Sequence, residues 1–391
     1  MGGRLIGALE RALGGWRHGR LTVDLPGGRS VCAGDPDAAD RARIAVHHPA
    51  FLLRLALRGE LGAGESYAAG EWSADDLVGA LRLFLRNLPL LDIESRLTRL
   101  GTLPDRIRHR LLRANTRTGS RRNVAAHYDL GNAFYRLFLD DGMTYSCAIY
   151  DRPEATLAEA QAAKLERVCA ALALRPGDHL LEVGCGWGSL AVHAARTRGC
   201  RVTGITLSRE QLAWGRARVA AAGLADRVEL RLLDYRDLHG HFDAVASVEM
   251  VEAVGERFLS GFFAACAARL RPGGRLLVQS ILMPDDRFAA YRRGVDWMQT
   301  YVFPGTCIPS LAALIDAAGR TGLTLAERHE IGLHYATTLR AWRGAFRARR
   351  AEAARLGIGP RRQRTWELYL AFSEAAFAEQ TLLDSQLLFA R

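Results

Sequence analysis

Leu180-Leu181-Glu182-Val183-Gly184-Cys185-Gly186-Trp187-Gly188 runs from a short apolar strand straight into three glycines at alternate positions. An open α/β sheet presents its backbone to a ligand in this way, in the crevice at the carboxyl end of its first strand. Glycines there let the main chain approach a bound molecule closely. The surrounding pattern supports that placement. Residues 201–205, 228–232, 244–248 and 275–279 are predicted strands; the last follows the turn Pro272-Gly273-Gly274. Helices are predicted over 158–173, 189–198, 210–222 and 258–270. Strand and helix alternating at this spacing mean an α/β fold with a parallel sheet covered on both faces.

The glycine loop alone leaves two ligand classes open. A dinucleotide enzyme would carry G-x-G-x-x-G and an acid at the end of the second strand to hold a ribose. Here the spacing is G-x-G-x-G, and the second strand ends in Gly204-Ile205-Thr206-Leu207-Ser208, without that acid. The form E-x-G-x-G-x-G resembles the methyltransferase loop, whose ligand is a sulfonium nucleoside without phosphates.

Length and composition narrow the class further. The chain has 391 residues, 49% hydrophobic and 24% charged, enough for two or three domains with their own cores. No apolar run approaches the roughly 20 residues of a membrane span. The first 20 residues lack a signal-peptide core, so a cytoplasmic protein is expected. The formal net charge is +11, and Lys164 is the one lysine among 53 basic residues. A GC-rich genome would account for arginine over lysine, but not for the excess over acid. That excess suits a polyanion, either a nucleic acid or an anionic membrane surface. No Asn-Pro-Pro-Tyr base-flipping motif and no aromatic-basic platform is evident, so no nucleic acid is expected. The seven cysteines (Cys32, Cys147, Cys169, Cys185, Cys200, Cys266 and Cys307) are widely spaced and form no CxxC pair. Neither a metal site nor a disulfide framework is expected, and most should be buried thiols.

Toward the N-terminus, residues 1–100 read as a small mixed domain. Short strands at 21–25 and 30–32 flank the turn Pro26-Gly27-Gly28, and a helix is predicted over 74–87 behind Ser73. Residues 101–122 form a predicted basic linker helix. It carries Arg106, Arg108, Arg110, Arg113, Arg117, Arg121 and Arg122, with Ile107, Leu111 and Leu112 on one side. Such a segment is either a solvated linker or a membrane-facing amphipathic helix.

Several motifs now combine. They are His127-Tyr128-Asp129-Leu130-Gly131-Asn132, Tyr145-Ser146-Cys147-Ala148, the loop 184–188, Thr206-Leu207-Ser208 with Gln211, Asp234-Tyr235-Arg236-Asp237, Met250-Val251-Glu252-Ala253-Val254-Gly255, Tyr301-Val302-Phe303-Pro304-Gly305, and His334-Tyr335-Ala336-Thr337-Thr338-Leu339. In order and spacing over about residues 120–391 they resemble the cyclopropane fatty acyl phospholipid synthase family, which includes the mycolic acid cyclopropane synthases. The resemblance implies a Rossmann-like class I methyltransferase domain over 123–391, the basic linker at 101–122, and a smaller N-terminal α+β domain over 1–100 that meets lipid. It implies transfer of a methylene carbon from S-adenosylmethionine to the cis double bond of an unsaturated phospholipid acyl chain, forming a cyclopropane. A methyltransferase leaving a methylene- or methyl-branched chain is the alternative. The enzyme would attach peripherally to the inner membrane through its arginine-rich segments, and a homodimer is one assembly the resemblance allows.

Residue by residue, the resemblance places Tyr145 and Ser146 at the methionine end of the cofactor and Gly184 and Gly186 along its nucleoside. Thr206, Leu207 and Gln211 would meet the ribose and adenine, and Tyr235 would flank the adenine. In the family a bicarbonate ion serves as the base. The positions that hold it correspond to Cys147, Glu252, Gln279, Ile281, Tyr335 and Ser373. Three neighbourhoods depart from the common pattern: Ala253 and Gln279 stand where many members have histidine, and Ser373 where cysteine is usual. Glutamine and serine still hydrogen-bond an anion, but neither gains a positive charge as histidine does.

The chemistry explains why such residues are needed. An isolated alkene is a poor nucleophile and requires a strong electrophile held in line with it. Methyl transfer leaves a carbocation, which the π faces of Tyr335 and Trp297 are candidates to stabilise. For Trp297 the core reading is the stronger of the two. A base shielded from water must then take a proton from the added methyl to close the ring. Proton loss elsewhere would leave a branched chain. Each residue has a structural alternative: Cys147 as a small buried side chain, Glu252 as a helix-start acid, His127 and Asp129 as local caps. Arg340, Arg343, Arg347, Arg349, Arg350, Arg355, Arg361, Arg362 and Arg364 form either a solvated face or a lipid-headgroup contact.

Overall fold

The computed structural model describes residues 2–91, 102–105, 115–128 and 130–391. Most of the expected linker helix, with Arg106, Arg108, Arg110 and Arg113, lies outside the described residues, as do Asp129 and the side chains of Arg121 and His127. Two compact units are present. The first comprises residues 1–111, 294–302 and 339–381, and the second 112–293, 303–338 and 382–391. The segments 294–302 and 339–381, read from sequence as part of the catalytic domain, therefore fold with the N-terminal residues.

In the first unit, strands β1 (Arg20–Asp24), β2 (Ser30–Gly34), β3 (Arg41–Val46) and β4 (Trp72–Ala74) form a sheet in the order β2-β1-β3-β4. The Pro26-Gly27-Gly28 turn closes the β1–β2 hairpin as expected, with Leu25 N donating to Arg29 O at 2.8 Å. The helix predicted over 74–87 begins later, at Leu77, because residues 72–74 pair with β3 instead. Helix Ala50–Ala69 passes through Gly62 and Gly64. A Cβ at Gly64 would fall 2.3 Å from the Trp297 ring, so Trp297 is packed into this unit's core. Helix Pro360–Ala378 buries residues on every side, including Trp366, Leu370 and Phe377, and so carries no one-sided apolar stripe. Much of the expected C-terminal arginine face is engaged within the unit. Arg340 and Arg343 bind Glu374, Arg347 and Arg350 bind Glu367, and Arg364 lies over the Tyr67 ring. Arg355, Arg361 and Arg362 are exposed.

The second unit is built on seven strands: β5 (His179–Val183), β6 (Arg201–Thr206), β7 (Val228–Leu232), β8 (Phe242–Val248), β9 (Leu270–Leu282), β10 (Thr324–Glu330) and β11 (Leu383–Ala390), in the order β10-β11-β9-β8-β5-β6-β7. Strands β5 to β9 pair in parallel, and β11 runs antiparallel between β9 and β10. Two apolar clusters cover the sheet, one around Phe262, Phe263 and Phe389, the other around Val168, Leu180 and Ala194. The expected parallel α/β core is present, and strand order reverses at β5, where β8 and β6 lie on either side. Ligands bind at the carboxyl ends of strands beside such a reversal. Gly184, Thr206 and Glu249 each stand at that end, directly after or closing β5, β6 and β8.

Candidate active site

The three loop glycines all take positive φ: 87° at Gly184, 51° at Gly186 and 82° at Gly188. Their surroundings differ. A Cβ on Gly184 would stand 2.6 Å from Met250 Cγ, whereas one on Gly186 would meet no protein atom within 4 Å. Gly184 is thus glycine for packing, and Gly186 is where bare backbone faces open space. Gly184 N and Cys185 N both donate to Ile205 O, at 3.0 and 2.9 Å, which ties the loop to the end of β6. There Thr206 Oγ1 donates to Gln211 Oε1 at 2.8 Å and accepts from Ser208 N at 3.1 Å, and Ser208 Oγ caps helix Arg209–Ala221. Thr206, Leu207 and Gln211 are therefore held in one knot beside the glycines. Tyr235, in the turn after β7, stands edge-on to Phe262 at 5.5 Å. This cradle of bare backbone, hydroxyl, amide and aromatic groups fits a nucleoside.

The upstream motifs reach the same place. Trp187 Nε1 donates to Asn132 Oδ1 at 2.7 Å, and the Tyr135 ring contacts both Trp187 and Tyr145 at 5.4 Å. Residues 144–147 are pinned by helix Leu157–Ala171. Gln161 Nε2 donates to Ser146 O at 2.8 Å, and Lys164 Nζ donates to Ser146 Oγ at 2.7 Å. Lys164, the sole lysine, is 1% exposed. Burial pushes its ammonium down, and the acidic groups around it, Glu249 first, oppose that shift. Lys164 is the buried cation of an acidic region.

Cys147, Glu252, Gln279, Ile281 and Tyr335 all lie in this unit around two carboxyl groups. Cys147 N and Gln279 Nε2 donate to Glu249 Oε1 at 2.7 and 2.8 Å, and Tyr335 OH donates to Glu249 Oε2 at 2.6 Å. Gln386 Nε2 donates to Gln279 Oε1 at 3.0 Å and so orients the Gln279 amide. Ile281 N and Ser280 Oγ donate to Glu252 Oε1 at 2.7 and 2.9 Å. Glu252 Oε2 is buried without a partner among the described residues. Burial, then the charge of Glu249, pushes the Glu252 carboxyl up to about 8. Asp384, fully buried beside them on β11, is raised well above the usual carboxylate range by burial and then by Glu249. Burial also pushes the Cys147 thiol up, so Cys147 contributes its backbone N–H and no thiolate. Ser373 and Trp297 belong to the first unit.

Sequence reasoning missed Glu249, which receives the three donors, and also Asp384 and Lys164. One signal was available for Glu249: an acid directly after a parallel strand at the reversal of strand order lies in the ligand crevice. The convergence changes the reading of the anion seat. Cys147 N, Gln279 and Tyr335 all point at Glu249, while Ile281 N points at Glu252. A bicarbonate ion does not fit these donors as they stand, because a side-chain carboxylate already receives them. Among the described residues no cluster of three or more metal-ligating side chains occurs, and no helix is long and apolar enough to cross a membrane.

Sheet order, glycine loop and the knot after β6 define a class I S-adenosylmethionine-dependent methyltransferase. More narrowly, the chain belongs to the cyclopropane synthase family: the family model described as mycolic acid cyclopropane synthetase matches residues 115–387. It is 42% identical over 369 residues to the tuberculostearic acid methyltransferase of Mycobacterium tuberculosis, covering 92% of this chain and 85% of that protein. To the cyclopropane-fatty-acyl-phospholipid synthase of Escherichia coli it is 34% identical over 358 residues, covering 90% and 88%. A solved mycolic acid cyclopropane synthase complexed with S-adenosylhomocysteine superposes with a TM-score of 0.65 at 29% identity, over 69% of this chain and 98% of that one. The expected family and fold class are thus confirmed: the chain is a methyltransferase acting on lipid.

Proposed function

We propose that the chain transfers one carbon from S-adenosylmethionine to the cis double bond of an unsaturated phospholipid acyl chain and that the product is a methylene-branched chain. The observation that carries the reaction is a carboxylate fixed by three donors at the end of β8, next to the glycine loop that fits the nucleoside. S-adenosylmethionine supplies an electrophilic methyl on a sulfonium sulfur. The chain's own residues orient it through the 184–188 loop and Thr206–Gln211, and Tyr335 offers a π face near the acid cluster. The branched product is favoured by 42% identity over 92% of the chain to a methyltransferase named for a branched fatty acid. The ring product is the second reading, supported by the family model and by the E. coli synthase.

Purified protein with S-adenosylmethionine and dioleoyl phospholipid vesicles should release S-adenosylhomocysteine. NMR of the recovered acyl esters then separates vinylic methylene protons from high-field ring protons, which mass alone does not. No release of S-adenosylhomocysteine would sink the reading; ring protons would select the second product. The lipid is expected to be met at an anionic bilayer surface, through arginines such as the exposed Arg355, Arg361 and Arg362. Equal sedimentation with neutral and anionic vesicles would refute that contact.

A further inference from the structure

We propose that Glu249 is the base of the reaction, supplied by the chain itself at the place where the family resemblance puts a bicarbonate ion. The inference rests on the methyl transfer proposed above and names the group that completes it.

Three observations converge. First, the donors that correspond to a bicarbonate seat, Cys147 N, Gln279 Nε2 and Tyr335 OH, all donate to the Glu249 carboxylate. They come from three separate segments, so the focus is a property of the fold and of no single turn. Second, Glu249 is held at φ 46°, a left-handed conformation uncommon for a side-chain-bearing residue, with its N–H donating to Gln279 O at 2.8 Å. Strained backbone of this kind persists where the surroundings over-determine it, and it clusters at reacting sites. Third, the neighbouring acids are unsuited to the role. Glu252 and Asp384 are enclosed and pushed upward by burial, Glu252 to about 8, whereas Glu249 is only half-buried at the carboxyl end of β8. Pairs of acids whose surroundings differ in this way divide acid and base roles between them.

The step balances as follows. The alkene π pair forms a carbon–carbon bond to the methyl carbon as the carbon–sulfur bond breaks with its pair on sulfur. This leaves S-adenosylhomocysteine and a cation on the second alkene carbon. A 1,2-hydride shift moves the cation to the methyl-bearing carbon. The pair of one C–H bond of the added methyl then becomes the methylene double bond, and the proton goes to Glu249. Without the hydride shift, the same C–H pair would close a ring, and the proton would go to the same carboxylate. Glu249 returns the proton to water after product leaves.

The test uses the full chain, S-adenosylmethionine, dioleoyl phospholipid vesicles and carbon dioxide-free buffer, with and without added bicarbonate. Wild type is expected to release S-adenosylhomocysteine equally in both. Glu249→Gln keeps the size of the side chain and should lose about 10²- to 10⁴-fold in turnover, the usual worth of a positioned base, while still binding S-adenosylmethionine in a calorimeter. Glu249→Gly suits the positive φ and removes the side chain from the donors; bicarbonate should restore part of its turnover. Wild type that is active only with bicarbonate would overturn the inference while leaving the methyl transfer intact. Full turnover by Glu249→Gln would do the same. Wild type that releases no S-adenosylhomocysteine under any condition would fail the broader reading instead.

Discussion

Glu252→Gln should make the protein more stable in alkali and less active throughout. The Glu252 carboxyl is raised from 4.5 to about 8, chiefly by burial and secondly by the charge of Glu249. An acid whose folded value lies above its unfolded one binds its proton more tightly in the fold. Its stabilising contribution is complete below the unfolded value and is lost as pH rises through the folded one. At 1.36 kcal/mol per pH unit, the interval corresponds to roughly 3–5 kcal/mol. Glutamine mimics the protonated acid: its carbonyl oxygen accepts from Ile281 N and Ser280 Oγ, and its NH₂ stands where the acid proton was. Urea unfolding followed by tryptophan fluorescence should therefore find variant and wild type within about 1 kcal/mol near pH 5, with the variant ahead by several kcal/mol near pH 9. S-adenosylhomocysteine release should fall while cofactor binding persists. Parallel stability curves for the two proteins from acid to alkali would refute the placement of a protonated acid here, and unchanged turnover would remove Glu252 from the site.

Gly184→Ala and Gly186→Ala should fail differently. Gly184→Ala drives a methyl group into Met250 and should cost about 1–3 kcal/mol in unfolding free energy. Gly186→Ala meets no protein atom and should cost only about 1 kcal/mol, yet weaken S-adenosylmethionine binding in calorimetry at least as much. Lys164→Met removes the buried partner of Ser146 and should lower stability by about 3 kcal/mol, read as a drop in the urea midpoint. Tyr335→Phe removes one of the three donors to Glu249 and should reduce turnover by about tenfold or more with little change in folding, checked by release rate and thermal melting.

The parallel core was legible because its signals are local. Strands β5, β6, β7 and β8 lie within two residues of their expected bounds, and the glycine loop sits where the strand-to-glycine transition placed it. Other elements depended on distant partners. Residues 270–274 fall within the bounds of β9, but its pairing with β8 jumps from Leu270 to Arg275 and Gly273 takes φ 74°, so the expected turn Pro272-Gly273-Gly274 stands as an unpaired excursion in the strand. Strand β10 reads Thr-Leu-Ala-Glu-Arg-His-Glu, with no apolar face to announce it, and forms because β11 offers an edge. Helix Pro360–Ala378 is surrounded on all sides, which erases the periodicity that would have assigned it to a separate unit. In the site, the cofactor residues follow contiguous motifs. Glu249 does not: its role arises from donors 102, 30 and 86 residues away in sequence, and from a backbone twist that spacing does not encode.

Lys164 has a practical corollary. With the one lysine enclosed beside Ser146, these 391 residues show amine-directed reagents no exposed lysine side chain while folded. Succinimidyl tags, aldehyde fixation and surface coupling through ε-amines will report almost nothing until the methyltransferase unit opens. A single acylation at Lys164, followed over time by mass spectrometry, would then act as a clock for that opening.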